Sequence, residues 1–570
     1  MKRNVLLSLA MLVATLPAIA QISSSNVSSD FVVADRGPFW RTWQRVTQLT
    51  NSATGATVPT VEQYVELDNG ACYVDQTGQF VDSQDLIELT PSGAAAVHGP
   101  TKAYFAPNIN TAGAITLVTT SGQTFKWHPL GLYYRDMASG QVALIAPIKD
   151  TIGVLVPPNT IIFSNAFSGL NASVLLTYAH NGFEQSVLLS ERPPAPDLWA
   201  GFPVGSSRLE IWSALDQWPA PRKERDVTIK PGANGQPDLT DQILFYADVW
   251  LPVPAALRFG DGQGPAPGQP LPVRVPSPSD TNHVLMGKRI QQVGDQSILV
   301  ESVNYPDVLP QLQRLQAAAK PVDQQHKDTA LAQGRKLPAP ASAARATRPL
   351  ELASAKAIPK GFLLDAPIPL SGSANSFTFS NGWTYVISSS YIVGSGTATF
   401  QNNACVKFAT NAYLLLYGPV SFPTSGTRDT FTSADDNEWG AQVSSSTGYP
   451  YYAAAQAIWM YYETQYTSVA NARIRWSWIG VEEDENSGVY NYPTINSCTF
   501  QNSSTAVREN FPNDTLYLNS DTDCQVTTAI NNYNGTRNGS SYSGSITTDC
   551  ELNIGASFAG MNGGSGSDPN

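Results

Sequence analysis

Short apolar runs that alternate with polar residues, each cut off by a turn signal, fill the chain from about residue 30 to 310. Ala114-Ile115-Thr116-Leu117-Val118-Thr119 and Val142-Ala143-Leu144-Ile145 are examples. Two neighbouring runs, Ala172 to Tyr178 and Phe183 to Leu189, are joined by Ala179-His180-Asn181-Gly182, whose Asn-Gly suits a tight hairpin turn. No regular helical period interrupts them. Antiparallel hairpins without helices predict a β-sandwich or a pair of sandwiches. Gly260 to Gly268 holds too much Gly and Pro to pair in a sheet and reads as a loop.

A second rhythm begins after Ser376, with short apolar strands about every six to eight residues: Tyr385-Val386-Ile387, Tyr391-Ile392-Val393, Ala398-Thr399-Phe400, Cys405 to Phe408 and Tyr413 to Tyr417. Such strands are too short to stand alone. Stacked in coils, three to a turn, each pairs above and below and all share one core. The pattern returns at Ala472 to Ile479 and at Ile495 to Val507, where Asn-Ser-Cys-Thr-Phe-Gln-Asn supplies small and amide residues for coil corners. Tyr452 to Tyr462 carries Ala and Met that favour a helix, but the surrounding repeat makes it a strand plus loop. Between the two rhythms Ala, Pro, Gln, Lys and Arg dominate and aromatic residues disappear, the composition of a solvated spacer. The expected fold is all-β: a β-rich, sandwich-like part over 21–312, a linker over 313–365, a right-handed parallel β-helix over 366–558 and a Gly/Ser tail over 559–570.

Thr397 to Phe422, followed by Phe431-Thr432-Ser433-Ala434-Asp435-Asp436, resembles the coils of bacterial secreted parallel β-helix proteins of the pectate-lyase-like kind. Independently, Asp35-Arg36-Gly37-Pro38, Gly182 to Val187 and Ile298 to Val303 resemble a group of long, uncharacterised secreted bacterial proteins that carry such coils downstream. The resemblance implies the fold of the C-terminal part and brings no activity. Where that group has a histidine pair after the Gly-Pro, this chain has Phe39-Trp40.

The N-terminus changes the setting. Lys2-Arg3, an apolar run from Val5 to Leu16 and Ala18-Ile19-Ala20 have the order of a secretory signal, with cleavage expected after Ala20. The run is shorter than the roughly 18–20 residues a membrane-spanning helix needs. Export to the periplasm or the extracellular space is expected, without a transmembrane segment. A net charge of -12 opposes general affinity for nucleic acid, which draws on cationic neutralisation of phosphates. An extracellular polysaccharide or a cell-surface component fits better. Cys72, Cys405, Cys498, Cys524 and Cys550 are widely spaced and form no C-x-x-C pair; one bridge in the C-terminal part and isolated buried thiols are both open.

Candidate chemistry is thin. The five histidines, His98, His128, His180, His283 and His326, are scattered, and neither G-x-S-x-G nor H-E-x-x-H occurs. Two acidic groups, Asp435-Asp436-Asn437-Glu438 and Glu482-Glu483-Asp484-Glu485, offer hard oxygen ligands that suit calcium, with Asp435, Asp436, Glu438, Glu482, Glu483 and Asp484 as candidates. No other cofactor is expected. The resemblance to pectate-lyase-like enzymes implies calcium-acidified sugar and a cationic base, for which Lys407, Arg473 and Arg475 are the candidates; Arg473 and Arg475, at i and i+2, share one face of a strand. The plainer alternative makes the first acidic group a turn and the second a solvated loop. Trp439, Tyr451, Trp476 and Trp478, with Tyr449 and Tyr452 nearby, are candidates for stacking on sugar rings, and Trp476-Ser477-Trp478 places both indoles on one side of a strand. Core packing is the competing use of such rings. The reading leans to a non-enzymatic recognition or structural protein, with a calcium-assisted polysaccharide lyase or hydrolase as its rival.

Overall fold

The chain is built almost entirely of strands, as its β-branched and aromatic alternation predicts. The computed structural model describes residues 30–50, 57–231, 237–246, 249–251, 255–258, 283–318, 349–352, 361–368, 376–394, 396–461, 468–484, 494–509, 517–519, 521–524, 528–532, 546–547 and 551–553. The signal-like segment, most of the expected linker and the tail fall outside them.

Two large sheets face each other in the N-terminal part. One runs in the order Gly287–Val293, Gln296–Asn304, Ser207–Gln217, Thr124–Asp136, Ile115–Val118, Lys102–Phe105, Gly93–Ala96 and Glu88–Thr90, with Val142–Pro147 also on Thr124–Asp136. The other runs His283–Leu285, Ala255–Arg258, Phe362–Ile368, Gly182–Leu189, Ala172–Ala179, Thr160–Phe163, Val154–Val156 and Glu351–Leu352. Leu132, Tyr134, Leu209 and Ile211 of the first share one core with Val174, Leu176, Val187 and Leu364 of the second, so the sheets form a sandwich. The expected hairpin is present: Tyr178 pairs with Phe183 and Ala179 with Gly182. Its two turn residues are therefore His180-Asn181, and Gly182 already belongs to the ladder.

The C-terminal part is a β-solenoid of about five turns. One of its sheets stacks Thr384–Ile387, Cys405–Phe408, Asp429–Ser433, Ala472–Arg475 and Thr499–Gln501, every pair parallel. A second stacks Ser390–Val393, Tyr413–Leu416, Ala454–Tyr461, Ser477–Asp484 and Thr505–Glu509. Within 452–461 the strand Ala454–Tyr461 takes the place the repeat requires, and Tyr462 lies outside the described residues. Inside, like residues stack on like: Phe379 on Phe400 at 4.4 Å and Phe400 on Phe422 at 4.2 Å. Asn403, Asn411, Asn471 and Asn502 hold the left-handed backbone at coil corners, a conformation that asparagine tolerates better than most side chains.

Two boundaries differ from the expectation. Val32–Gly37, Trp40–Thr50 and Thr57–Leu67 form an antiparallel meander that does not join the sandwich; its last strand pairs in parallel with Thr384–Ile387, Val65 opposite Tyr385, and covers the edge of the first coil. Conversely Glu351–Leu352, placed in the linker by composition, and Phe362–Ile368, which straddles the expected boundary between linker and β-helix at 365, are sandwich strands, Leu364 pairing with Val187. Both differences arise from pairings between segments about 180 to 320 residues apart, which local composition does not report.

Candidate functional site

The first acidic group begins a long departure from the solenoid. After Asp429–Ser433 the chain leaves its coil at 434 and returns at Ala454, and the excursion folds back across the outer face of the same sheet. The Ala441 amide donates to Thr384 Oγ1 at 2.8 Å, and Val443 packs with Val386 and Tyr64. Further out, the Tyr64 and Ser444 hydroxyls lie 2.9 Å apart, and Arg45 Nη2 donates to Gln442 Oε1 at 3.0 Å. This strap spans from the strand of Arg473 and Arg475 to the N-terminal meander. Gly440 makes the close crossing possible: at φ +67° its position has Cys405 Sγ and Thr384 Oγ1 within 2.7 Å of where a Cβ would stand.

At the root of the strap most of the sequence candidates meet. Asp436, buried, accepts from Thr432 Oγ1 at 2.6 Å and from the Glu438 amide at 3.1 Å, and its Oδ2 lies 3.3 Å from Arg475 Nη1. The same Nη1 donates to Glu438 Oε2 at 2.7 Å, which holds that carboxyl below its ordinary range. Arg473 lies with its guanidinium 3.7 Å from the centre of the Trp439 ring. Arg473 and Arg475 do share one strand face. Lys407 is fully buried beneath them; its Nζ donates to the Asp436 carbonyl at 2.8 Å, and burial lowers its pKa. Asp435 instead accepts from Thr447 Oγ1 at 2.8 Å within the strap. The constellation therefore gathers cations and carboxylates in about equal number, with Arg475 bridging Asp436 and Glu438 while Arg473 rests on an indole, Lys407 on a backbone carbonyl and Asp435 on Thr447.

The second acidic group is elsewhere. Glu482 and Glu483 are buried in the strand Ser477–Asp484 of the neighbouring sheet, and Glu482 faces Arg508 at 3.7 Å. The expectation of a solvated loop is corrected: the parallel ladder with Ala454–Tyr461 and Thr505–Glu509 draws these carboxylates in. The side chains of Asp484 and Glu485 lie outside the described residues. Among the described residues no three His, Cys, Asp or Glu side chains converge as a metal site would require.

The aromatic candidates separate too. Trp476 holds a left-handed φ of +56° at the corner between Ala472–Arg475 and Ser477–Asp484, so it and Trp478 do not sit on one side of one strand. Trp478 is 45% exposed, and its ring lies 5.0 Å from that of Tyr452. Tyr449 and Tyr451, on the returning limb of the strap, are 83% and 52% exposed. Four aromatic rings thus belong to one short stretch of strap and the coil beside it, three of them exposed.

Groups that spacing could not flag lie in the sandwich. His180, in the hairpin turn, is held by two carboxylates: Nδ1 by Asp85 at 2.7 Å and Nε2 by Asp68 at 3.0 Å. Burial works against its charge, but the bonds to Asp68 and then Asp85 prevail and push it up to about 10. Asp68 also accepts from Ser389 Oγ of the solenoid at 3.3 Å. His128 is buried, with Nδ1 2.7 Å from Asp216. Cys72 and Cys405 are buried free thiols, and burial pushes both up to about 12, far from reactivity; Cys498 is buried in the solenoid core. No family model, no curated protein and no solved structure matches this chain.

Proposed function

We propose that the protein is an exported or cell-surface recognition protein, in which the solenoid is a rigid support and the rings of Tyr449, Tyr451, Tyr452 and Trp478 form a platform for neutral glycan. The observation that carries this reading is the exposure of Tyr449, Tyr451 and Trp478, with the half-buried Tyr452 ring set against Trp478. Tyrosine and tryptophan ordinarily bury their large apolar faces, and adjacent rings left in water mark a surface that acquires a partner. A flat ring with a polar tip suits a sugar, which offers C–H groups on one face and hydroxyls around its edge. The signal-like N-terminus supports an extracellular setting, and the excess negative charge disfavours polyanionic ligands.

The lyase reading has its own support, since Arg473, Arg475, Asp436 and Glu438 share one face. Against it, Arg475 is held by Asp436 and Glu438, Arg473 lies against Trp439, and the Lys407 amine is buried on a backbone carbonyl. A base that must approach a sugar proton requires a free lone pair at the surface. Incubating the protein with neutral and uronic-acid polysaccharides, with calcium and with chelator, separates the two. Retention of a neutral glycan without released oligosaccharide is expected; unsaturated products that disappear on chelation contradict the recognition reading.

A further inference from the structure

Three charged side chains are sealed together in the sandwich: Lys288, Asp241 and Glu301 are all buried, at 3%, 1% and 3% exposure. Lys288 is on Gly287–Val293, Glu301 sits directly opposite it on Gln296–Asn304, and Asp241 reaches in from Pro237–Phe245, a strand of a separate small sheet. Directly opposed residues of an antiparallel pair present their side chains on the same face, a few ångströms apart. Lys288 Nζ lies 2.8 Å from Asp241 Oδ2, and Asp241 Oδ1 accepts the Lys288 amide at 2.7 Å. The carboxyl is thereby fixed in position and orientation. The Pro237–Phe245 strand passes so close that the Thr240 carbonyl oxygen lies 2.1 Å from where a Cβ on Gly287 would stand. Gly287 thus permits the approach.

We propose that Lys288 and Asp241 condense to an intramolecular amide, with Glu301 as the proton carrier. In the step, Lys288 Nζ in its neutral form attacks Asp241 Cγ and forms a C–N bond. Glu301, in its acid form, gives its proton to the departing hydroxyl. The Cγ–O bond breaks, water leaves, and the surplus proton on nitrogen returns Glu301 to its acid form. One carboxylic acid and one amine become one amide and one water, with no change of oxidation state.

The environment favours this outcome. Burial pushes Glu301 up to about 8, so it carries a proton at neutral pH, and the same burial lowers Lys288 and raises Asp241, each toward its uncharged form. Two charges in a dry interior bear a large desolvation penalty that an amide does not. Holding amine and carboxyl in contact supplies the effective concentration that free solutes lack. The bond would close a 47-residue interval and staple the small sheet to the large one.

Intact mass of the full chain under denaturing conditions, followed by peptide mapping, tests this. The expected mass is short by one water, with a branched peptide that joins the segment of Asp241 to that of Lys288. Lys288→Met and Glu301→Gln should show the full mass, whereas Asp241→Asn should reach the same branched product by losing ammonia. A full mass in wild-type protein that melts cooperatively overturns the proposal. So does a water loss that maps elsewhere, such as to the Asp261-Gly262 pair, and an amide that forms undiminished in Glu301→Gln removes the role of Glu301.

Discussion

The Tyr64 hydroxyl meets that of Ser444 at 2.9 Å, joining the N-terminal meander to the strap across 380 residues of sequence. With Val443 packed between Tyr64 and Val386, and Arg45 on Gln442, this contact makes the meander, the first coil and the strap one packed unit. Gly440 is its tightest point. Gly440→Val places side-chain atoms where Cys405 and Thr384 stand, at a φ that branched residues avoid, and should cost about 2–3 kcal/mol in urea unfolding. Tyr64→Phe removes one hydrogen bond and should cost about 1 kcal/mol.

The acidic strap root should behave as a structural ion cluster. Arg475→Ala leaves Asp436 buried without its cation and should destabilise by about 3 kcal/mol, whereas Glu438→Gln, at a side chain mostly in water, should change stability by less than about 1 kcal/mol. Thermal melts of the two variants against wild type check the asymmetry.

His180 sets one limb of the pH profile. Its pKa is raised from 6.5 to about 10 in the folded state, so the native protein retains a proton that the unfolded chain releases. The stabilisation is complete below about pH 6.5 and is lost as pH rises from there through about 10. His180→Gln leaves Asp68 and Asp85 facing each other without a cation and should cost about 3 kcal/mol at pH 6, with a flatter profile above pH 7. Chemical denaturation at pH 6, 8 and 10 measures both effects.

Asp429 gives a stabilising substitution. It is buried, it accepts the Ala404 amide at 2.9 Å, and burial raises its pKa from 3.8 to about 7. Its folded pKa lies above the unfolded one, so its contribution is complete below pH 3.8 and declines as pH rises to about 7. Asp429→Asn keeps the acceptor, avoids the charge, and should raise stability at pH 8 by about 1–2 kcal/mol while changing little at pH 4. Paired denaturation curves at the two pH values decide it.

The parts of this architecture that local pattern encodes were legible in the sequence. The Ala172 to Leu189 hairpin, the coil strands from Tyr385 to Tyr417 and the strand at Ala454–Tyr461 follow directly from period and turn chemistry. The face shared by Arg473 and Arg475 follows from the two-residue period of a strand. What escaped was set by distant pairing: Thr57–Leu67 on Thr384–Ile387, Phe362–Ile368 on Gly182–Leu189, and Asp241 against Lys288. The Trp476 and Trp478 arrangement failed for another reason. Trp476 itself stands at a left-handed corner that breaks the alternation, and nothing in Arg475-Trp476-Ser477 announces it.

The aromatic platform is the central claim, and its most direct measurement is binding of neutral polysaccharides by wild type and by Trp478→Ala and Tyr451→Ala, beside melts that show each variant folded. The rings contribute largely through exposed surface, so both variants should melt near wild type while retention of the glycan falls about 10-fold or more. Undiminished retention in both variants, or no retention of any neutral glycan by wild type, contradicts the assignment.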